Sequence, residues 1–357
     1  MEILKEMPRR DPLNGTFELT VRCNLKCKMC LFRHDDSENA EIIKNEKTAK
    51  EWIDMAKQVA GAGTINLLIT GGEPMLRPDF CEIYEGIYKQ GFIIELYTNA
   101  TLVNDKIMET LIKYPPHKIG ITIYGASDST YEKVCGNGKA FDRMLSGVEK
   151  LITLPSNLEF RTTIIKDNYE DIDNIEQLIK DKFGEMYTLT QSRMVMKPVR
   201  GGNSIAEICR LTPEDNIKLY LRRGLNKIKG IVGEDRFNIK NVKVEIDKTT
   251  NNNSKKVISL FGCDAGMQSY TISWDGKLLA CQILGNFYTY PFNDGFTRSW
   301  MNYPYKVKLP KLNEQCILCE NKHLCSCCYA SRYAETGNLG GCPKYVCEDV
   351  DELVKFL

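Results

Sequence analysis

The feature that most limits the fold is an alternation running from about residue 16 to residue 226, in which short apolar runs rich in β-branched residues take turns with amphipathic stretches. Runs of the first kind form strands, stretches of the second form helices, and parallel strands need a helical crossover between them. The pattern predicts strands near 15–20, 65–70, 93–98, 118–124, 158–165 and 187–195. It predicts helices near 48–61, 79–90, 105–113, 141–153, 172–182 and 213–229. Six βα repeats make an α/β fold whose parallel sheet either curls into a partial (β/α)6 barrel of the TIM type or stays open and doubly wound.

Length and composition bound the rest. The 357 residues, 43% of them hydrophobic, are enough for one large domain and a smaller one. Residues 247–256, DKTTNNNSKK, are polar without an apolar period, and the character of the chain changes after them. We therefore expect an N-terminal segment at 1–15, the barrel at 16–246, a linker at 247–260 and a small cysteine-rich domain at 261–357. In the last part, residues 270–272 and 278–281 flank Trp274-Asp275-Gly276-Lys277, a β-hairpin turn signal. Lysine plus arginine (48) balances aspartate plus glutamate (47), so no global field draws the chain to nucleic acid or an anionic membrane. With no apolar run of about 18 residues and a charged N-terminus, the expected compartment is the cytoplasm. Fifteen cysteines in a reducing compartment point to metal rather than disulfides, and three scattered histidines are too few to be the main ligands.

The first cysteine cluster, Cys23-x3-Cys27-x2-Cys30, directly follows the first expected strand, at the barrel mouth where active sites collect. Three thiolates within eight residues can wrap a cubane cluster and leave one iron without a protein ligand. Zinc is the competing occupant, but a structural zinc site wants four protein ligands. One βα unit later, Thr70-Gly71-Gly72-Glu73-Pro74 combines two glycines that let backbone approach a ligand with a carboxylate. Together these motifs resemble the signature of the radical S-adenosylmethionine (SAM) superfamily, with Met29 where an aromatic residue is more usual. The resemblance implies a [4Fe-4S] cluster on Cys23, Cys27 and Cys30 that chelates SAM and cleaves it to a 5′-deoxyadenosyl radical. It implies SAM contacts from Gly71, Gly72, Glu73 and Pro74, and from Thr98 and Asn99 in a segment similar to the family's TNG strand end. Thr122, in a stretch similar to its S-x-D-G segment, and Arg161 on the fifth strand complete the expected cofactor-binding set. The bland alternatives are helix caps for the polar strand ends and a surface position for Arg161.

Cys263 and Cys281 flank the hairpin and are followed by Cys316-x2-Cys319-x5-Cys325-x2-Cys328 and Cys347. This resembles the SPASM extension of radical SAM enzymes, which carries two auxiliary [4Fe-4S] clusters. The resemblance assigns Cys263, Cys281 and Cys328 to the first, and Cys316, Cys319, Cys325 and Cys347 to the second. Two residues, one of them Cys327, separate Cys325 from Cys328 where the family usually has three, and the first cluster shows three ligands unless Cys327 or Cys342 adds a fourth. Cys81, Cys135 and Cys209 read as small buried apolar residues, with Cys135 close to the mouth.

SPASM enzymes mostly modify peptides, so the resemblance implies oxidative maturation of a ribosomally made precursor by a thioether or carbon–carbon cross-link. The partners it implies are the peptide, a separate leader-binding protein, and a flavodoxin or ferredoxin as electron donor. Formylglycine formation on sulfatases is a second enzymatic reading, but those enzymes carry an aspartate base where this chain has Gln282, whose amide accepts no proton. Dehydrogenation of a small alcohol is a third. A zinc-filled scaffold without activity is the non-enzymatic reading.

Overall fold

The computed structural model describes residues 9–201, 205–232 and 259–356. Six parallel strands appear where the periodicity places them: β1 (Asn14–Glu18), β2 (Asn66–Thr70), β3 (Ile93–Thr98), β4 (Lys118–Thr122), β5 (Asn157–Thr163) and β6 (Leu189–Ser192). Each pairs with its successor in register, from Asn14↔Asn66 at one edge to Thr163↔Ser192 at the other. The crossovers carry helices α1 (Asn39–Asn45), α2 (Ala49–Gly61), α3 (Phe80–Tyr88), α4 (Asp105–Lys113), α5 (Asp128–Cys135), α6 (Ala140–Leu151) and α7 (Ile172–Phe183). This is the expected partial barrel. α2 starts at Thr48 because Thr48 and Glu51 cap each other reciprocally, and it buries Trp52 against Phe17 of β1, ring centroids 5.0 Å apart.

Two of these seven helices escaped the sequence reading, α1 and α5, as did the helices of the C-terminal residues, among them Phe296–Asn302, Tyr329–Thr336 and Lys344–Val354. α5 had readable ends, since the Ser127 hydroxyl accepts from Thr130 N and the helix stops at Gly136 in the left-handed region (φ 67°).

The hairpin forms, as β7 (Ser269–Ile272) and β8 (Leu278–Leu279), with Gly276 at φ 84° closing a turn in which its N–H donates to Ser273 O. It does not stand apart: β7 pairs in parallel with β1, so the sheet order is β6-β5-β4-β3-β2-β1-β7-β8. Tyr270 of β7 anchors the joint, its hydroxyl 2.9 Å from Thr64 Oγ1 and its ring 4.9 Å from Phe296.

By compactness the described residues form two units, one from Met1–Arg210 and Ser259–Leu309, the other from Leu211–Ile258 and Pro310–Leu357. The hairpin thus groups with the barrel, and the last expected crossover helix, observed as Pro213–Val232, groups with the C-terminal residues. There it packs on helix Lys344–Val354, with Asn216 Nδ2 donating to Asp349 Oδ2 at 2.5 Å. Residues 1–8 of the expected N-terminal segment and 247–258 of the expected linker lie outside the described residues. Among the described residues no helix is long and apolar enough to cross a membrane.

Candidate functional site

The segment between β1 and α1 holds the first cysteine cluster, and the chain around it builds the site in two steps. First, α5 ends in carbonyls that its own helix leaves unpaired. Cys135 O accepts from Lys26 N at 2.9 Å and Val134 O from Lys28 N at 3.0 Å, which ties the cysteine loop to the helix end. Second, the Gly71-Gly72-Glu73 turn is laid against the chain just before Cys23, with Gly72 N donating to Thr20 O (2.8 Å) and Glu73 N to Arg22 O (2.9 Å). A Cβ on Gly71 would stand 2.3 Å from Thr20 O, and one on Gly72 would stand 2.3 Å from Arg22 O. The glycines therefore admit neighbouring backbone here, the use the sequence had suggested for a ligand. Below the seam, Arg22 donates twice to Glu46 (2.9 and 3.0 Å), and Thr20 and Arg77 also meet that largely buried carboxylate.

A cavity of about 490 Å³ opens above these loops. Its wall contains Cys23, Cys27, Cys30, Gly71, Gly72, Thr98, Asn99, Thr122 and Arg161, nine positions the sequence had singled out from five separate βα units. Arg161 belongs to this wall, its guanidinium 4.4 Å from the Tyr97 ring centre and 3.8 Å from Glu159. Glu73 and Pro74 do not line it, being fully buried behind it. Glu73 accepts from Thr98 Oγ1 (2.9 and 3.0 Å), Asn99 N (2.8 Å) and Met75 N (3.1 Å), so it binds the β2 turn to the β3 turn. Burial pushes its carboxyl up to about 7, against the pull of those donors toward the charged form. Beside it Ala100 takes a left-handed conformation (φ 59°), and Asn99 Nδ2 reaches Asn24 Oδ1 at 3.0 Å and Cys23 Sγ at 3.8 Å.

Sequence reasoning missed two groups that the fold brings here: Tyr124 hydrogen-bonds Cys27, and His34 holds Glu38 at 2.5 Å through Nδ1. Gln282, read from the sequence as standing where an aspartate base would be, reaches the wall because its hairpin is paired to β1. Cys135, expected near the mouth, is buried with its thiol against Cys27.

The donor set suits a thiophilic cluster. Cys23 Sγ accepts from Leu25 N and Cys30 Sγ from Phe32 N, both at 3.4 Å, and such N–H···S contacts favour thiolate. Burial pushes the Cys23 thiol well up and the Cys30 thiol up to about 12, and the Cys135 contact followed by burial does the same to Cys27. Metal binding at these thiols therefore releases protons. Among the described residues no three His, Cys, Asp or Glu side chains stand in a finished coordination sphere, so the thiols share a wall and would converge by side-chain rotation.

Of the hairpin cysteines, Cys263 is exposed and Cys281 half-buried in the barrel unit. In the other unit, the Cys342 thiol meets both Cys347, 3.3 Å away, and Cys316, and Arg332 donates to Cys316 Sγ at 3.1 Å. Cys328 is exposed and caps helix Tyr329–Thr336, its sulfur accepting from Ser331 N at 3.4 Å.

Comparison with known proteins agrees with this geometry. Residues 17–179 match the Radical SAM superfamily. The chain is 29% identical over 340 residues to the AdoMet-dependent heme synthase of Methanosarcina barkeri, covering 90% of this chain and 92% of that protein. It is 21% identical over 333 residues to the antilisterial bacteriocin subtilosin biosynthesis protein AlbA of Bacillus subtilis, covering 89% and 67%. Among solved structures, Streptococcus suis SuiB bound to S-adenosylmethionine superposes with a TM-score of 0.68 at 18% identity, over 96% of this chain and 79% of that one. SuiB has also been solved bound to its precursor peptide SuiA.

Proposed function

We propose that this chain, whose residues 17–179 match the Radical SAM superfamily, is an enzyme of that superfamily that binds SAM at the cavity above Cys23, Cys27 and Cys30 and oxidises a peptide substrate, with a thioether or carbon–carbon cross-link as product. The observation that carries the reading is the single cavity that gathers three thiols, the Gly71-Gly72 turn and the polar ends of β3 to β6. An iron–sulfur cluster, when bound by these thiolates, supplies the electron for reductive cleavage of SAM to a 5′-deoxyadenosyl radical.

The chain's own residues do the rest. Glu73 locks the two turns that face the cofactor, and its buried carboxyl, pushed up to about 7, would be drawn toward the charged form by an ammonium group on that wall. Arg161, beside Thr122 in the β4–β5 register, supplies a cation for a carboxylate. Tyr124 and Cys135 hold Cys27 from behind. The C-terminal thiols would be the auxiliary-cluster ligands, Cys263, Cys281 and Cys328 for one and Cys316, Cys319, Cys325 and Cys347 for the other, and clusters held there would supply an acceptor for the electron that an oxidised substrate must lose. Gln282 on the wall speaks against formylglycine formation, because an amide there removes no proton. The peptide reading draws support from the likeness to AlbA, and with it come a separate leader-binding protein, a flavodoxin or ferredoxin donor and a cytoplasmic setting.

A second reading, a tetrapyrrole substrate, is favoured by the near-full-length likeness to the heme synthase and by Arg161, which suits the carboxylates of such rings. Two measurements separate these. Replacing Cys23, Cys27 and Cys30 together by alanine should abolish 5′-deoxyadenosine formation with dithionite while iron stays in the C-terminal residues; continued SAM cleavage, or colourless zinc-loaded protein, refutes the radical reading. With the intact enzyme, a peptide encoded beside the gene should lose two hydrogens, whereas turnover of a carboxylated iron porphyrin instead selects the second reading.

A further inference from the structure

Helix Lys344–Val354 begins after Pro343, its N-cap residue at φ −71° and ψ 116°. Cys342 is then the residue before the cap and Cys347 the fourth helical residue. Side chains at those two positions meet in the staple that fixes how a chain enters a helix. Here both are thiols, and their sulfurs lie 3.3 Å apart. The Cys342 thiol also hydrogen-bonds Cys316. Buried Arg332 gathers the same group from the other side, with Nη1 donating to Cys316 Sγ at 3.1 Å and to Gly341 O at 2.6 Å. One guanidinium thus fixes the peptide leading into Cys342 and places positive charge where thiolates would form.

Two sulfurs this close address one point in space. With a metal–thiolate bond of about 2.3 Å, a metal held by either lies within a side-chain rotation of the other. The resemblance already assigns four thiols, Cys316, Cys319, Cys325 and Cys347, to this cluster and offers Cys342 only as a candidate fourth ligand of the first cluster, whereas its contacts are with Cys316 and Cys347 of the second. We propose that Cys342 and Cys347 are interchangeable ligands: either one completes the second auxiliary cluster, and the other remains beside it as a spare thiol. The inference rests on the reading that these thiols hold an iron–sulfur cluster. Exchange breaks one iron–sulfur bond as it forms another, and the proton of the entering thiol passes to the departing thiolate, so no oxidant or reductant is required.

The test uses the full chain, reconstituted anaerobically, with iron, sulfide and Mössbauer spectra measured for wild type, Cys342→Ala, Cys347→Ala and the double variant. A Cys342→Val/Cys347→Val pair keeps the apolar staple while removing both ligands, and circular dichroism reports the helix. Each single variant should match wild type in iron, sulfide and Mössbauer spectrum, whereas both double variants, left with three thiolates, should show one iron with an altered Mössbauer signature or lose about four iron and four sulfide, with helix content unchanged. Either change in one of the single variants overturns the proposal by making that thiol the sole ligand. Wild-type iron content and wild-type spectra in the double variants overturn it by making neither a ligand. The same measurement on the Cys23/Cys27/Cys30→Ala chain tests the underlying reading separately: if that chain holds no iron, the cluster assignment falls and the proposal falls with it.

Discussion

Gly147, on the inner face of α6, has no catalytic group of its own, yet the site leans on it. A Cβ there would stand 1.9 Å from Ala100 O, against 3.4 Å for ordinary contact, so Gly147→Ala has to part α6 from the β3 turn by about 1.5 Å. Overpacking of this kind costs about 1–3 kcal/mol, offset by up to about 1 kcal/mol from the better helix propensity of alanine. The net expectation is a loss of about 1–2 kcal/mol. The displaced turn carries Thr98 and Asn99, so the hydrogen bonds to Glu73 and the approach of Asn99 to Cys23 should loosen with it. Gly61, at the end of α2, has nothing within 4 Å of its added Cβ and serves as the control, where the same change should be neutral or gain up to about 1 kcal/mol. Urea unfolding of both variants, alongside SAM affinity by equilibrium dialysis, checks this. Equal stability and equal SAM affinity for the two variants would refute a turn positioned by helix contact.

Other consequences follow from the same geometry. Because burial raises the Glu73 carboxyl from 4.5 to about 7, the folded protein holds this proton more tightly than the unfolded chain does. Its stabilising effect is complete below about pH 4.5 and fades as pH rises through 7. Glu73→Gln should therefore flatten the pH dependence of unfolding in cofactor-free protein by about 3 kcal/mol between pH 5 and 8, measured as a difference from wild type. Glu46→Ala leaves Arg22 without its carboxylate partner and Arg77 with Asp79 alone, in a buried setting, and should cost about 3 kcal/mol in denaturant titration. Arg161→Gln keeps a polar side chain on the wall but removes a charge-assisted contact of about 1.5–3 kcal/mol, so SAM binding should weaken roughly 10-fold to 100-fold in dialysis, with unfolding little changed.

The sequence alone determined the elements whose cause is local. Strand periodicity placed β1 to β6, the Thr48 capping box placed the start of α2, and the Cys23 to Cys30 spacing together with Gly71-Gly72-Glu73 marked the chemistry, because each signal is contained within a few neighbouring residues. Tertiary structure decided what depends on partners far along the chain. β7 pairs with β1 across about 250 residues and carries Gln282 to the cavity wall, α5 delivers Cys135 to Cys27, and Glu73 turns inward to join two strand ends instead of facing the cavity. A periodic pattern states which face of a strand or helix is buried. Which distant backbone meets that face is settled only when the folded chain satisfies all its buried hydrogen bonds at once.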